Sequence, residues 1–91
     1  MAQIKTTSHN GIHFTFDNGW TASVQWNYGN YCDNYNKPET RNQSIPSTTV
    51  EIACWPKDGS LTDIWDSGDT VNGHISVNDI PAFLQQVKEM K

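Results

Sequence analysis

Two cysteines, Cys32 and Cys54, and three histidines, His9, His13 and His74, are the side chains best suited to hold a soft metal or to supply a nucleophile. Structural zinc sites carry paired ligands at short spacing, and neither cysteine has a second one nearby. No metal centre is expected. A cysteine nucleophile needs a thiolate beside a base. Cys32 with His13 or His74 could form one only if the fold brought them together, and no local motif asks for it. Cys54 reads as a core thiol sharing a strand face with Val50 and Ile52. Cys32 is either packed or paired with Cys54 in an oxidising compartment. Asp63, Asp66 and Asp69 could supply a carboxylate pair for glycosyl transfer. Their setting, TDIWDSGDT, is rich in turn residues, so Asp66 and Asp69 read as turn caps. DSGD lacks the remaining ligands of a calcium loop. The six glycines are isolated rather than gathered into a phosphate-binding loop. No cofactor and no enzymatic constellation is read.

The stretch WNYGNYCDNYN, residues 26–36, is of another kind. It holds four Asn, three Tyr, one Trp and one Cys, with no aliphatic and no basic residue. Tyr28, Tyr31 and Tyr35 carry flat rings with a hydroxyl at the tip. Asn30 and Asn34 both donate and accept hydrogen bonds. Tyr mixed with Asn and Gly is the composition of antibody paratopes. Such residues suit stacking on a base or sugar, or gripping a partner protein. Arg41 and Lys37, a few residues on, could add charge for a phosphate. The candidate binding residues are therefore Tyr28, Asn30, Tyr31, Cys32, Asn34, Tyr35 and Arg41. The competing reading is that the rings cover a thin core and the amides satisfy turn backbone. Either way the stretch is expected to be ordered.

Composition limits the partners. Ninety-one residues make one domain, residues 1–91. A chain this short buries only about 60–65% of its unfolded surface, and four Trp give bulk to a core with 35% apolar residues. A homo-oligomer would be another route to burial. The net charge is −4, no Lys or Arg occurs between Lys5 and Lys37, and Arg41 is the only arginine. A nucleic-acid backbone needs several cations to neutralise it, so a nucleic-acid polymer is not an expected partner. A host protein, or one small phosphorylated or sugar ligand, is compatible. MAQIKTTSHN lacks the apolar core of a secretory leader, and no run approaches the ~20 apolar residues of a membrane span. The expected compartment is a cytoplasm, where both cysteines would be thiols.

The elements that must position these residues are read from periodicity. Ile12, Phe14 and Phe16 alternate with polar residues, as do Trp20, Ala22, Val24 and Trp26, giving two half-buried strands. Asp17-Asn18-Gly19 joins them. A three-residue loop sets Phe16 opposite Trp20, Phe14 opposite Ala22 and Ile12 opposite Val24, with Gly19 left-handed in a bulge. A two-residue loop would turn one apolar set to water. Residues 27–47 show no period and contain Pro38 and Pro46, a long loop of the kind that is usually functional or disordered. TTVEIACW is a strand, PKDG a turn, SLTDIW a further strand, and TVNGHI a short edge strand weakened by Gly73. Ile80, Phe83, Leu84, Val87 and Met90 recur at helical spacing, predicting a C-terminal helix over about 79–90. Its preferred cap is Asn78, which keeps Pro81 in the first turn. The expected fold is α+β: an antiparallel meander of four to five strands with one C-terminal helix packed on a face.

FTFDNGWTASVQWNYGNYCDN, then VEIACWPKDGSL, then a G-D-T-V-x-G element and a closing helix resemble a group of small uncharacterised proteins of bacteriophages and bacteria. Their cores are close to N-G-W-T-V-S-V-Q, N-Y-C and a later V-x-V-W-x-x-D-G. The resemblance covers roughly residues 12–90, and this chain departs with Ala22 in place of Val and with Cys54 beside Trp55. It implies a phage or prophage accessory protein and brings no catalytic residue. The function expected is a non-enzymatic binding protein that inhibits a host system, such as a defence system, by occupying a host protein or sequestering a small ligand. Two alternatives remain open: a small-molecule or carbohydrate-binding module using the Tyr/Asn loop, and a virion structural or assembly component.

Overall fold

The computed structural model describes residues 2–7 and 11–91. His9 lies outside the described residues. Five strands, β1 (Gln3–Thr6), β2 (Ile12–Thr15), β3 (Thr21–Gln25), β4 (Thr49–Trp55) and β5 (Val71–Ser76), form one antiparallel sheet in sequential order. One α-helix among the described residues, α1 (Ile80–Lys88), follows. The expected α+β meander is therefore the fold.

The β2–β3 hairpin has the register that burial requires. Phe14 pairs with Ala22 and Ile12 with Val24. The Phe16 N–H donates to the Trp20 carbonyl at 2.9 Å, closing the three-residue loop, and Gly19 takes φ +87°. This register gathers Trp20, Ala22 and Val24 with Val50, Ile52 and Cys54 of β4 on one face. Phe83 and Val87 of α1 close over them, both fully buried. The opposite face carries a polar lattice: Thr15 Oγ1 lies 3.0 Å from Thr21 Oγ1, and His13 sets its ring edge-on to Trp55. The Cys32 and Cys54 thiols are both buried and free.

Three expectations are corrected. First, residues 60–65 are not a strand. Ile64 and Trp65 are adjacent, yet both pack against the same core. A strand would send them to opposite faces. The segment instead crosses to the helix, where the Trp65 ring meets Phe83 edge-on at 6.0 Å and its N–H donates to Gln86 Oε1. The fifth strand is β1, which the polar Gln3–Thr6 run did not announce. Second, TVNGHI is the edge strand expected but not a short one: β5 runs six residues, longer than β1, β2 or β3, and pairs with β4 through a register shift between Val50 and Ile52. Third, Asn78 is not the cap: Ser76 caps the 3-10 turn that leads into the helix, and the N-cap position of α1 is Asp79, which makes no side-chain cap bond. Ser76 Oγ accepts the Asn78 N–H at 3.2 Å, a 3-10 turn spans Val77–Asp79, and α1 begins at Ile80. The intervening turn leaves Pro81 in the first positions of α1, where its missing N–H breaks no bond.

Among the described residues, no helix is long and apolar enough to cross a membrane.

Candidate functional site

Residues 27–47 form an ordered layer rather than an open loop. A 3-10 turn, Pro38–Arg41, lies within it. Its interior is made of side chains that are polar by nature. Asn27 is buried and its Nδ2 donates to the Thr40 carbonyl at 3.0 Å. Thr40, also buried, accepts the Tyr28 N–H on Oγ1 at 2.9 Å and donates to the Lys37 carbonyl. Asn34 is fully buried and ties the Trp26 carbonyl, at 2.9 Å, to the Ile45 carbonyl, at 3.1 Å. Asn27 Oδ1 and Asn34 Oδ1 are buried and accept no protein donor, so both amides are fastened through their nitrogens. A buried loop must satisfy its own backbone, and short amides do so without the bulk of long side chains.

Two carboxylates clamp this layer to the sheet. Asp33 accepts the Thr48 N–H at 2.7 Å, the Thr48 hydroxyl at 2.6 Å and the Thr49 hydroxyl at 2.8 Å. These donors hold its carboxyl down at about 2. Glu51, on β4, accepts the Tyr31 N–H at 2.9 Å and the Asn30 amide at 3.3 Å. On the far side the His74 N–H of β5 donates to the Tyr31 carbonyl at 2.7 Å. The chain crosses so close to β5 that a Cβ on Gly73 would stand 2.3 Å from the Tyr31 Cβ. Gly73 thus serves a backbone approach rather than weakening a strand.

With the amides turned inward, the rings face out. Tyr28, Tyr31 and Tyr35 are 39%, 53% and 41% exposed. Tyr31 and Tyr35 stack at 5.4 Å with planes 15° apart, and the Arg41 guanidinium sits 4.4 Å over the Tyr28 ring. The Gly29 N–H donates to the Tyr35 carbonyl, which draws the two ends of the tyrosine segment together. Of the seven candidate residues, Tyr28, Tyr31, Tyr35 and Arg41 are exposed, and Asn30 is half-buried against Glu51. Cys32 and Asn34 are corrected: both are interior and present nothing to a ligand. Burial raises the Cys32 thiol above its usual range, and Cys54 likewise. The Cys32 Sγ donates to the Asn27 carbonyl. The expected capping by Asp66 and Asp69 is corrected too, since the Asp63 carboxylate takes the Ser67 and Gly68 N–H groups. Among the described residues, no group of three or more His, Cys, Asp or Glu is placed to hold a metal.

No family model, curated protein or solved structure matches the chain.

A second feature escaped the sequence reading. On the helix side of the sheet, Ile12, Phe14, Val24, Trp26, Val50 and Ile80 line a cavity of about 270 Å³. A nine-residue helix is only about 14 Å long, so α1 covers the β3–β4 part of the apolar face and leaves this end open. The signal was present as a mismatch between a short amphipathic helix and a wide apolar sheet face.

Proposed function

We propose that the protein is a non-enzymatic binding module whose tyrosine face, Tyr28, Tyr31, Tyr35 and Arg41, recognises a partner protein. One observation carries the reading: the loop is braced from within by Asn27, Asn34 and Thr40 and from the sheet by Glu51, yet its rings project outward. Rings held rigid before contact lose little entropy on binding. Tyr and Arg are the residues that dominate interface energetics. The resemblance to phage proteins makes a host protein, such as a defence component, the proposed partner. Buried thiols with raised pKa favour binding over nucleophilic chemistry. The test is capture from host lysate by the wild-type protein and by Tyr31→Ala/Tyr35→Ala. A partner retained by the wild type and lost by the variant supports the reading. Equal capture by both, or none by either, removes it.

A small-ligand reading is favoured by the apolar cavity at Trp26 and Phe14. Its size falls just below the roughly 300–1,000 Å³ of small-molecule sites. A ligand at about 100 times its dissociation constant would stabilise the fold by about 2.7 kcal/mol. A thermal-shift screen of small uncharged aromatic and aliphatic compounds reads that directly, and a flat response would dismiss it.

A further inference from the structure

The two edges of the sheet differ. The β5 edge is covered where Tyr31 accepts the His74 N–H. Among the described residues nothing pairs with the β1 edge, and all four residues of β1 are exposed.

The direction of the β1 backbone groups follows from the ladder. The Thr7 N–H donates to the Gly11 carbonyl, and the register continues as Lys5 with His13 and Gln3 with Thr15. Hydrogen-bonded pairs alternate in an antiparallel ladder, so the odd residues of β1 bond inward to β2. The next hairpin agrees. Phe16 bonds Trp20 across β2–β3, which assigns the even residues of β2 to β3 and the odd ones to β1. Ile4 and Thr6 therefore hold their N–H and C=O groups outward, with no partner strand beyond them among the described residues.

The side chains point to one occupant. Ile4 is 62% exposed, the most exposed of the large apolar side chains among the described residues. It sits opposite Phe14, on the apolar face of the sheet beside the cavity. We propose that two copies of the chain pair through β1, antiparallel about a two-fold axis at Ile4, to make one continuous sheet. In this register Ile4 meets its own copy in a hydrogen-bonded pair and adds to the apolar face. Lys5 falls opposite Gln3 of the second copy. Moving the axis to Lys5 would set like charges directly across the strands, which is destabilising. An unrelated extended peptide would gain the backbone bonds but not the matched isoleucines.

The experiment uses the full chain. Native mass is measured across a concentration series for the wild type and for Ile4→Lys, with amide exchange followed residue by residue. The wild type is expected at twice 10.3 kDa at high concentration, and Ile4→Lys at the monomer mass with its far-UV circular dichroism unchanged. The Ile4 and Thr6 amides should slow as the dimer forms, while Lys5, already bonded inward, changes less. Thr6→Pro, which removes one outward donor without adding charge, should also weaken the dimer. A wild type that stays monomeric throughout overturns the proposal. So does a dimer that survives Ile4→Lys, or one in which the Ile4 amide exchanges as fast as in the monomer.

Discussion

The side-chain amide of Asn18 lies 3.0 Å from the main-chain carbonyl of Val87, a hydrogen bond across 69 residues. The same nitrogen reaches the carbonyls of Lys88, at 3.0 Å, and Met90, at 2.8 Å. The β2–β3 turn thereby caps the C-terminus of α1, where carbonyls have no helical partner. Asn18 Oδ1 meanwhile accepts the Trp20 N–H at 3.0 Å, fixing the turn. One side chain joins the two elements that enclose the core.

Asn18→Ala removes the capping donor and should cost about 1–3 kcal/mol. Asn18→Asp should cost more at pH 7, because a carboxylate would face the negative end of the helix, worth roughly 0.3–1 kcal/mol. Below about pH 4 the new carboxyl is protonated and the difference between the variants should vanish. Urea midpoints at the two pH values check this. Equal midpoints at pH 7 would remove the capping argument.

Asp33 titrates at about 2, below its ordinary 3.8. A group depressed in the folded state contributes stability that is present above its unfolded pKa and lost as pH falls through the folded one. The clamp on Thr48 and Thr49 should hold at neutral pH and loosen between about pH 4 and pH 2. Asp58 and Asp63 are also lowered, by hydrogen bonds from Ser60 and from Ser67, so their contributions too are lost as the solution is acidified. Asp33→Asn isolates the share of Asp33. At pH 7 its Thr48 amide should exchange faster than in the wild type, and the gap should close as pH falls. Identical exchange at pH 7 would count against the clamp.

Gly73→Ala forces a methyl to within 2.3 Å of the Tyr31 Cβ and 3.1 Å of its carbonyl oxygen. Overpacking of this kind costs about 1–3 kcal/mol. The loop, whose buried residues are mostly polar, should be what moves. The His74 and Tyr31 amide resonances are expected to shift, with those of Phe83 and Val87 little changed. Partner capture should fall as well, if the tyrosine face is the site. A variant with wild-type Tm would count against a close crossing of Tyr31 over Gly73.

Cys32 and Cys54 are buried thiols with pKa values raised by desolvation. Only the thiolate reacts readily. Iodoacetamide should modify the native protein far more slowly than the urea-unfolded chain, at both positions. Rapid native alkylation of Cys32 alone would instead mark a reactive site and reopen the enzyme reading.

Local pattern determined a large part of this protein. The alternation in residues 12–26 contained both the β2–β3 register and its three-residue loop, because any slip would turn Phe14 or Trp20 to water. The face shared by Val50, Ile52 and Cys54, and the helical spacing of Phe83 and Val87, were legible for the same reason. The aromatic–amide stretch was recognisable as an ordered loop from composition alone. What composition could not do was divide that stretch into outside and inside. Asn34 and Asn30 are chemically alike, yet one is buried and tied to the Trp26 and Ile45 carbonyls and the other donates to Glu51.

Tertiary structure alone decided the rest. Gln3–Thr6 has no apolar period, and becomes a strand only because β2 offers it a row of free backbone groups. SLTDIW has the composition of a strand, but the space beside α1 needed both Ile64 and Trp65. Asn18 looked like a turn residue and nothing more. Its hold on Val87 depends on where the helix ends, and no pattern in residues 17–19 carries that information. Periodicity reports which face of an element is apolar. Which other element arrives to cover it, and which polar groups meet there, is set by packing between segments far apart in the chain.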